Sequence, residues 1–367
     1  MLSFAREQLG DDLSDRDARG EFSRELWQKC ADEGVQGMAV PQAYGGREFA
    51  SILTAMLGME ALGRGSHDLG LLLGLNTQMW TVQLPILEFG TEEQKQRFLP
   101  RLCAGEWIGC EAMTEPEAGS DVFAMTTTAA KTDGGYVLNG EKCMITLAPI
   151  ADVVLVVATV DATKGRWGLT SFLVEKGSDG FVAEPATEKM GLRTVPFGTL
   201  RFENCFVPDA NRLGKEGAGF ALTQHALEYE RCCILASQLG AMERQLEATV
   251  AFAKNRKQFG QSIGKFQSVS NRVADMKVRL ETARLLNYKV AWMKDQGKSA
   301  ALEAAMLKLH LSESFVDSSM DALRIHGGRG YQTEFGVERD LRGAIGGLLY
   351  AGTSDIQRNI IAGLLGL

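Results

Sequence analysis

Four short stretches of the chain combine residue types able to hold a ligand. The first runs Met113-Thr114-Glu115-Pro116-Glu117-Ala118-Gly119-Ser120-Asp121-Val122. Its small residues and hydroxyls let backbone N–H groups come close to an anionic or carbonyl-rich molecule. Alone it reads as a surface turn. Gly140-Glu141-Lys142-Cys143-Met144-Ile145-Thr146 follows at hairpin distance and gives that loop a partner. The third, His326-Gly327-Gly328-Arg329-Gly330-Tyr331, interrupts a helical region and without company is a helix C-cap and turn. In the fourth, Tyr350-Ala351-Gly352-Thr353-Ser354-Asp355-Ile356-Gln357-Arg358, Thr353 or Ser354 can cap a last helix and turn free N–H groups toward an anion. The histidines at 67, 225, 310 and 326 are too scattered to suggest a metal centre.

The elements that must position these stretches fall in the order helical, β, helical. No proline follows Pro208, which favours long uninterrupted helices in the last part of the chain. There Val273, Met276, Leu280, Ala283, Leu286 and Val290 step by three and four, with Arg272, Lys277, Arg279 and Glu281 on the other face. The segments 221–256 and 299–326 behave alike, so three or four long antiparallel helices form a bundle. Between about 120 and 208 the chain turns β-branched and glycine-punctuated. Asp133-Gly134-Gly135 predicts a hairpin between Thr126–Lys131 and Tyr136–Gly140, with further strands at 152–160, 169–175, 180–184 and 198–206. The first hundred residues are helical, with Leu53, Met56, Met59, Glu60 and Leu62 in one stripe and a capped start at Thr91. The expected domains are 1–109, 110–212 and 213–367. Crevices at the two junctions are where ligands are held.

Composition narrows the classes. The chain has 367 residues, 45% hydrophobic and 23% charged, with 39 basic against 46 acidic side chains and a net charge of −7. Nucleic acid therefore lacks its usual electrostatic footprint. The run Val153–Ala158 is far shorter than a membrane span, and Met1–Glu7 shows no secretory pattern. Seven cysteines without a C-x-x-C read as reduced core thiols of a cytoplasmic protein.

Thr114-Glu115-Pro116-x-Ala118-Gly119-Ser120-Asp121, Lys189-Met190-Gly191-Leu192-Arg193, Arg256-x-Gln258-Phe259-Gly260, Gly327-Gly328-x-Gly330 and Gly352-Thr353-Ser354-x-Ile356-Gln357-Arg358 together resemble the acyl-CoA dehydrogenase superfamily, in order and spacing over nearly the whole chain. The resemblance implies that fold: an N-terminal helical domain, a central mostly antiparallel β domain and a C-terminal four-helix bundle. It also implies FAD in the cleft between the β domain and the bundle. Met113, Thr114, Gly119 and Ser120 would line the flavin side of the β domain, with Met144 and Thr146 beside the ring. Arg256, Phe259 and Gln267 would reach the FAD of a neighbouring subunit. Arg324, Gly327 and Gly328 would approach the nucleotide half, and Thr353 with Asp355 would close the site. Met144 and Arg324 stand where many relatives carry an aromatic residue and a glutamine. A homotetramer built as a dimer of dimers is the implied assembly, with an electron-transfer flavoprotein or oxygen as the electron acceptor.

The family's chemistry removes the α-proton of a thioester while hydride leaves the β-carbon. A carboxylate lifted by burial suits the first task. In much of the family that glutamate precedes Gly-Thr; here Ala351 stands there and keeps only its backbone N–H to polarise the thioester carbonyl. Isovaleryl-CoA dehydrogenases place the base on a helix of the bundle, and Glu230 in Leu227-Glu228-Tyr229-Glu230-Arg231 occupies the matching position. A solvated helix residue pairing with Arg231 is the bland alternative. Ser120, Glu228, Arg231, Tyr350 and Gly352 are the implied substrate contacts.

A finer resemblance, carried by Glu230-Arg231-Cys232, Gly240–Glu247, Gln258–Gly264, Met276–Glu281 and the added residues between Asp340 and Tyr350, is to dehydrogenases acting on acyl or aminoacyl groups held by acyl or peptidyl carrier proteins. CoA-dependent relatives of fatty-acid or branched-chain breakdown share several of these features. The basic stretch Lys254, Arg256, Lys257 and Lys265 does not decide between carrier and CoA. A flavin monooxygenase and a non-catalytic subunit on the same scaffold are the remaining classes; Glu230 argues against the first, and only Ala351 suggests the second.

Overall fold

The computed structural model describes residues 1–10 and 12–367. Seven helices come first: α1 (Leu2–Gln8), α2 (Leu13–Arg19), α3 (Arg24–Asp32), α4 (Ile52–Gly65), α5 (Leu69–Thr77), α6 (Leu84–Phe89) and α7 (Glu92–Cys103). The expected start at Thr91 is a full capping box, Thr91 and Gln94 each bonding the other's backbone. A turn of π-helix, Gln78–Gln83, joins α5 to α6, and every residue in it is buried. Apolar periodicity cannot reveal such a turn, because the whole segment is apolar or buried and shows no face. π-turns frequently mark functional sites.

The middle of the chain builds one eight-stranded sheet. Its strands are β1 (Gly109–Ala112), β2 (Thr128–Thr132), β3 (Gly135–Thr146), β4 (Val153–Thr159), β5 (Leu169–Glu175), β6 (Phe181–Ala183), β7 (Phe197–Pro208) and β8 (Arg212–Leu213). Their order is β6-β7-β3-β2-β4-β5-β8, with β1 parallel to β4. The β2–β3 hairpin closes over Asp133 and Gly134, as the turn residues predict. The β3–β7 ladder breaks register between Lys142 and Ile145. Met144 sits in that bulge at φ 56°, with its side chain 56% exposed. Bulges of this kind re-aim a side chain beside a site.

The last part is the bundle: α8 (Gly219–Cys233), α9 (Ala236–Asn255), a short hairpin of β9 (Lys257–Gln258) and β10 (Gln261–Ser262), then α10 (Gln267–Asp295), α11 (Ala301–His326), α12 (Val337–Gly347) and α13 (Ser354–Leu364). The stretch 221–256, one continuous helical pattern in the sequence, is broken between Cys233 and Ala236, where Ile234 follows the end of α8 and Leu235, at φ −92° and ψ 0°, precedes α9. Just past the break α9 crosses α4 backbone to backbone. A Cβ on Gly240 would lie 1.9 Å from the Glu60 carbonyl oxygen, and one on Gly63 1.8 Å from that of Ser237. Only glycine permits this approach, and it fixes α9 relative to the N-terminal helices. Ion pairs brace both sides of the junction: Arg284 of α10 reaches Glu60 of α4 across it at 2.8 Å, Arg244 pairs with Asp340 inside the bundle at 2.9 Å while donating to the Gly63 carbonyl, and Arg16 pairs with Asp68 among the N-terminal helices at 2.7 Å. The Lys189–Arg193 motif serves the junction of all three parts. Arg193 donates to the Asp17 carbonyl at 2.8 Å, and Arg342 of α12 to the Met190 carbonyl at 3.0 Å.

Among the described residues no helix is long and apolar enough to cross a membrane. All seven cysteines are free thiols.

Candidate active site

The loop at 113–122 is held by its own glutamate. Glu115 accepts from Thr126 N–H at 2.6 Å, Thr126 Oγ1 at 2.8 Å, Thr127 N–H at 2.9 Å and Lys142 Nζ at 2.9 Å. Burial alone would raise its carboxyl, but Lys142 and these hydrogen bonds outweigh it and hold the group at about 2. Lys142 Nζ also donates to the Met113 carbonyl at 3.0 Å, and Cys143 N–H to that of Thr114 at 2.9 Å. The structure thereby brings Met113 and Thr114 beside the bulge that carries Met144, with Thr146 two residues further along β3 and paired with Phe197. Gly119 and Ser120 are exposed on the same loop, with open space where a Gly119 Cβ would stand.

On α8, Glu230 is half-buried and takes no hydrogen bond or ion pair among the described residues. Loss of water raises its carboxyl first; Arg231 and Lys308 pull it back, leaving it at about 7. A group at that value is poised to take a proton near neutral pH. Lys308 of α11 is fully buried and its Nζ has no hydrogen-bond partner among the described residues. Burial, opposed by Glu230, brings it down to about 8. Tyr350 lies next to Glu230: burial and that carboxylate both push its phenol upward, and its hydroxyl accepts from Gln238 Nε2 at 2.8 Å.

The turn after Tyr350 is set by Gln357, whose amide donates to the Ala351 and Gly352 carbonyls, each at 3.0 Å. Ala351 takes φ 56°, rare for a residue with a Cβ. Its N–H meets no acceptor among the described residues. Thr353 caps α13 by accepting from Ile356 N–H at 3.3 Å, while Asp355 is exposed and pairs with Arg358.

Glu228 requires a correction. Expected at the substrate, its carboxylate instead receives Lys294 Nζ at 2.8 Å and the Ala300 N–H at 2.8 Å, where α11 begins. Two residues along a helix are turned about 200°, so Glu228 braces the bundle while Glu230 faces inward. Arg231 lies between the two acids, its Nε buried without a partner.

The remaining expected residues lie at one end of the bundle. Arg256 and Phe259 sit on the β9–β10 hairpin and Gln267 at the start of α10, all exposed; Phe259 is 94% exposed at φ 51°. Arg324, Gly327 and Gly328 end α11, where Arg324 lies 3.7 Å from Asp321. Phe252 stacks on His326 with centroids 4.3 Å apart, joining the end of α9 to the end of α11.

Two site residues escape the motif reading. Glu111 on β1 is half-buried, and burial together with Glu230 raises its carboxyl well above the ordinary range. Its signal was one acid in the otherwise small and apolar Ile108-Gly109-Cys110-Glu111-Ala112-Met113. Lys308 falls on the buried stripe Ala304, Leu311 and Phe315, where a lysine breaks the pattern.

Three family patterns match successive parts of the chain: acyl-CoA dehydrogenase N-terminal domain over 1–106, middle domain over 110–205 and C-terminal domain over 217–365. An L-prolyl-[peptidyl-carrier protein] dehydrogenase of Pseudomonas fluorescens is 43% identical, over 93% of this chain and 90% of its own. The crystal structure of the prolyl acyl carrier protein oxidase AnaB superposes with a TM-score of 0.98 at 47% identity, covering 100% of this chain and 97% of that one. PigA with FAD and proline superposes at 0.97 and 41% identity, covering 100% and 95%. Helical, β and helical parts, with an unpaired glutamate facing the turn before the last helix, define a three-domain acyl dehydrogenase scaffold. The chain belongs to the acyl-CoA dehydrogenase family.

Proposed function

We propose that this protein is an FAD-dependent dehydrogenase that introduces an α,β-double bond into an aminoacyl thioester, a prolyl group on a carrier protein above all. The observation that carries the reading is Glu230: an unpaired, half-buried carboxylate adjoining Tyr350 and the free Ala351 N–H. The relatives that act on prolyl carrier proteins supply the substrate class.

The residues present suit FAD. Met144, next to Cys143 whose N–H joins the 113–122 loop at Thr114, offers an exposed apolar side chain, and open space surrounds Gly119, Gly327 and Gly328. Arg256 is exposed without an ion pair, available to a phosphate. When bound, FAD supplies the acceptor for the β-hydride. The chain does the rest. Glu230 takes the α-proton, the Ala351 N–H polarises the thioester carbonyl, and the Glu115–Lys142 pair keeps the flavin-side loop in shape. Arg256→Ala lowers FAD affinity by about tenfold or more, read by flavin retained through dialysis.

We assign the protein to a cytoplasmic homotetramer with an electron-transfer flavoprotein or oxygen as acceptor. Supporting association, Val278, Leu285 and Trp292 of α10 and Met306 of α11 are exposed apolar residues. A recess of about 760 Å³ between Leu285, Met306, His310 and Ile361 adjoins them.

The test is anaerobic flavin bleaching by matched thioesters. The prolyl-carrier thioester is expected to reduce the flavin faster than prolyl-CoA. An acyl-CoA ester of fatty-acid or branched-chain breakdown outpacing both would assign the protein to catabolism instead.

A further inference from the structure

Strand β1 places one acid where none is expected. Its residues alternate: Cys110 and Ala112 are buried in the main core, while Gly109 and Glu111 share the opposite face. That face is apolar and close-packed. A Cβ on Gly109 would lie 2.9 Å from Val82 Cγ1 of the π-turn and 3.2 Å from Leu102 Cδ2 of α7. Glu111 pairs across the ladder with Leu155, which pairs in turn with Leu173, both fully buried. Gln78 of the π-turn pins the strand by accepting the Gly109 N–H at 2.8 Å. The position of the Glu111 side chain is therefore built, not accidental.

Among the described residues each fully buried acid has a cation: Asp17 with Arg342, Glu60 with Arg284, Asp68 with Arg16, Glu115 with Lys142, Asp321 with Arg272 and Asp340 with Arg244; half-buried Glu111 and Glu230 have none. Glu111 has neither ion pair nor hydrogen bond among the described residues. Among the described residues the charge that raises it is that of Glu230, of the same sign. A carboxylate in such surroundings costs several kcal/mol unless a positive group joins it. A divalent metal does not fit, since two carboxylates are the whole donor set and a lysine and an arginine stand close by.

We propose that Glu111 binds the α-ammonium of the substrate's aminoacyl group and selects aminoacyl over plain acyl thioesters. This rests on the acyl-thioester reading of Glu230. In an α-aminoacyl thioester the nitrogen and the abstracted proton are borne by the same carbon. The residue that takes the proton and the residue that holds the nitrogen must then both reach that carbon; Glu111 on β1 and Glu230 on α8 stand on elements that pack against the same π-turn, Gln78–Gln83, and the two carboxylates act on each other electrostatically.

The experiment uses the FAD-loaded protein, anaerobically, with two synthetic pantetheine thioesters: L-prolyl, and cyclopentanecarbonyl, which carries CH2 in place of NH. Wild type is expected to bleach with both and to prefer prolyl. Glu111→Gln is expected to lower the second-order rate constant of flavin reduction by prolyl at least about tenfold and to leave that for cyclopentanecarbonyl within about threefold. Glu111→Asp, which keeps the charge, should retain the preference; bound flavin reports folding of each variant. Equal losses on both thioesters, or an undiminished prolyl rate in Glu111→Gln, overturn the assignment while the dehydrogenase reading stands. A wild type that bleaches with neither overturns that reading, and this inference with it.

Discussion

Glu111 and Glu115 stand on the same short stretch of chain and end in opposite electrostatic states. Glu115 has an ammonium, two backbone N–H groups and a hydroxyl, and is held at about 2. Glu111 has an apolar wall and a second carboxylate, and is raised well above its ordinary value. Both are shielded from water, so burial is not what distinguishes them. Satisfaction is. A buried charge whose partners are all supplied by the chain shapes a loop. One left without partners costs stability, and the fold keeps it where a ligand or a reacting proton completes it.

The comparison breaks most sharply at Lys142. Lys142→Met leaves Glu115 buried without its cation, which should cost about 3–5 kcal/mol. Denaturant unfolding would register it, together with loss of bound FAD. Glu115→Gln combined with Lys142→Met should recover much of that, since the uncompensated charge is gone.

Next in size is Glu230→Gln, which should retain FAD but slow flavin reduction by at least about 10²-fold in anaerobic stopped flow. Ala351→Glu in that background should restore part of the rate, because the family reaches one α-carbon from either position. Glu228→Gln should slow reduction far less, its carboxylate being bound to Lys294 and Ala300.

Lys308 sharpens the contrast further. Glu230 works as a base only when ionised, so the reduction rate should rise with pH through about 7 and then level. Removing a cation that favours the ionised form, as in Lys308→Met, should move that rise upward by about one pH unit. An unshifted profile would mean that Lys308 does not act on Glu230.

The smallest effect is on stability, and its sign differs between the two acids. Glu111 is raised in the folded protein above its usual 4.5. Its contribution is therefore intact below that value and lost as pH rises through the folded one. Glu111→Gln should gain stability relative to wild type as pH rises above 4.5, read as a higher Tm at neutral pH than the difference seen in acid. Glu115 is lowered to about 2, so its contribution is present above 4.5 and lost as pH falls toward 2. The deficit of Glu115→Gln should accordingly shrink in acid.

Local patterns in the sequence were enough for the order of elements, the capped start at Thr91, the Asp133-Gly134 hairpin and the family motifs. These depend on neighbours within a few residues, or on motif order along the chain. The substitution of Ala351 for the usual glutamate was also legible, because it is a matter of residue type alone. Other features needed the tertiary structure. The break at Leu235 hides inside an unbroken apolar period, and the backbone crossing at Gly63 and Gly240 joins helices far apart in the chain. The bulge at Met144 arises where β3 slips against β7, and no pattern within β3 announces it. Glu228 and Glu230 look alike on one helix until Lys294 and the start of α11 claim the first. Glu111 and Glu230 stand on a strand and a helix more than a hundred residues apart. What a charge does once buried depends on what the fold brings against it, and that is a property of packing in three dimensions, not of spacing along the chain.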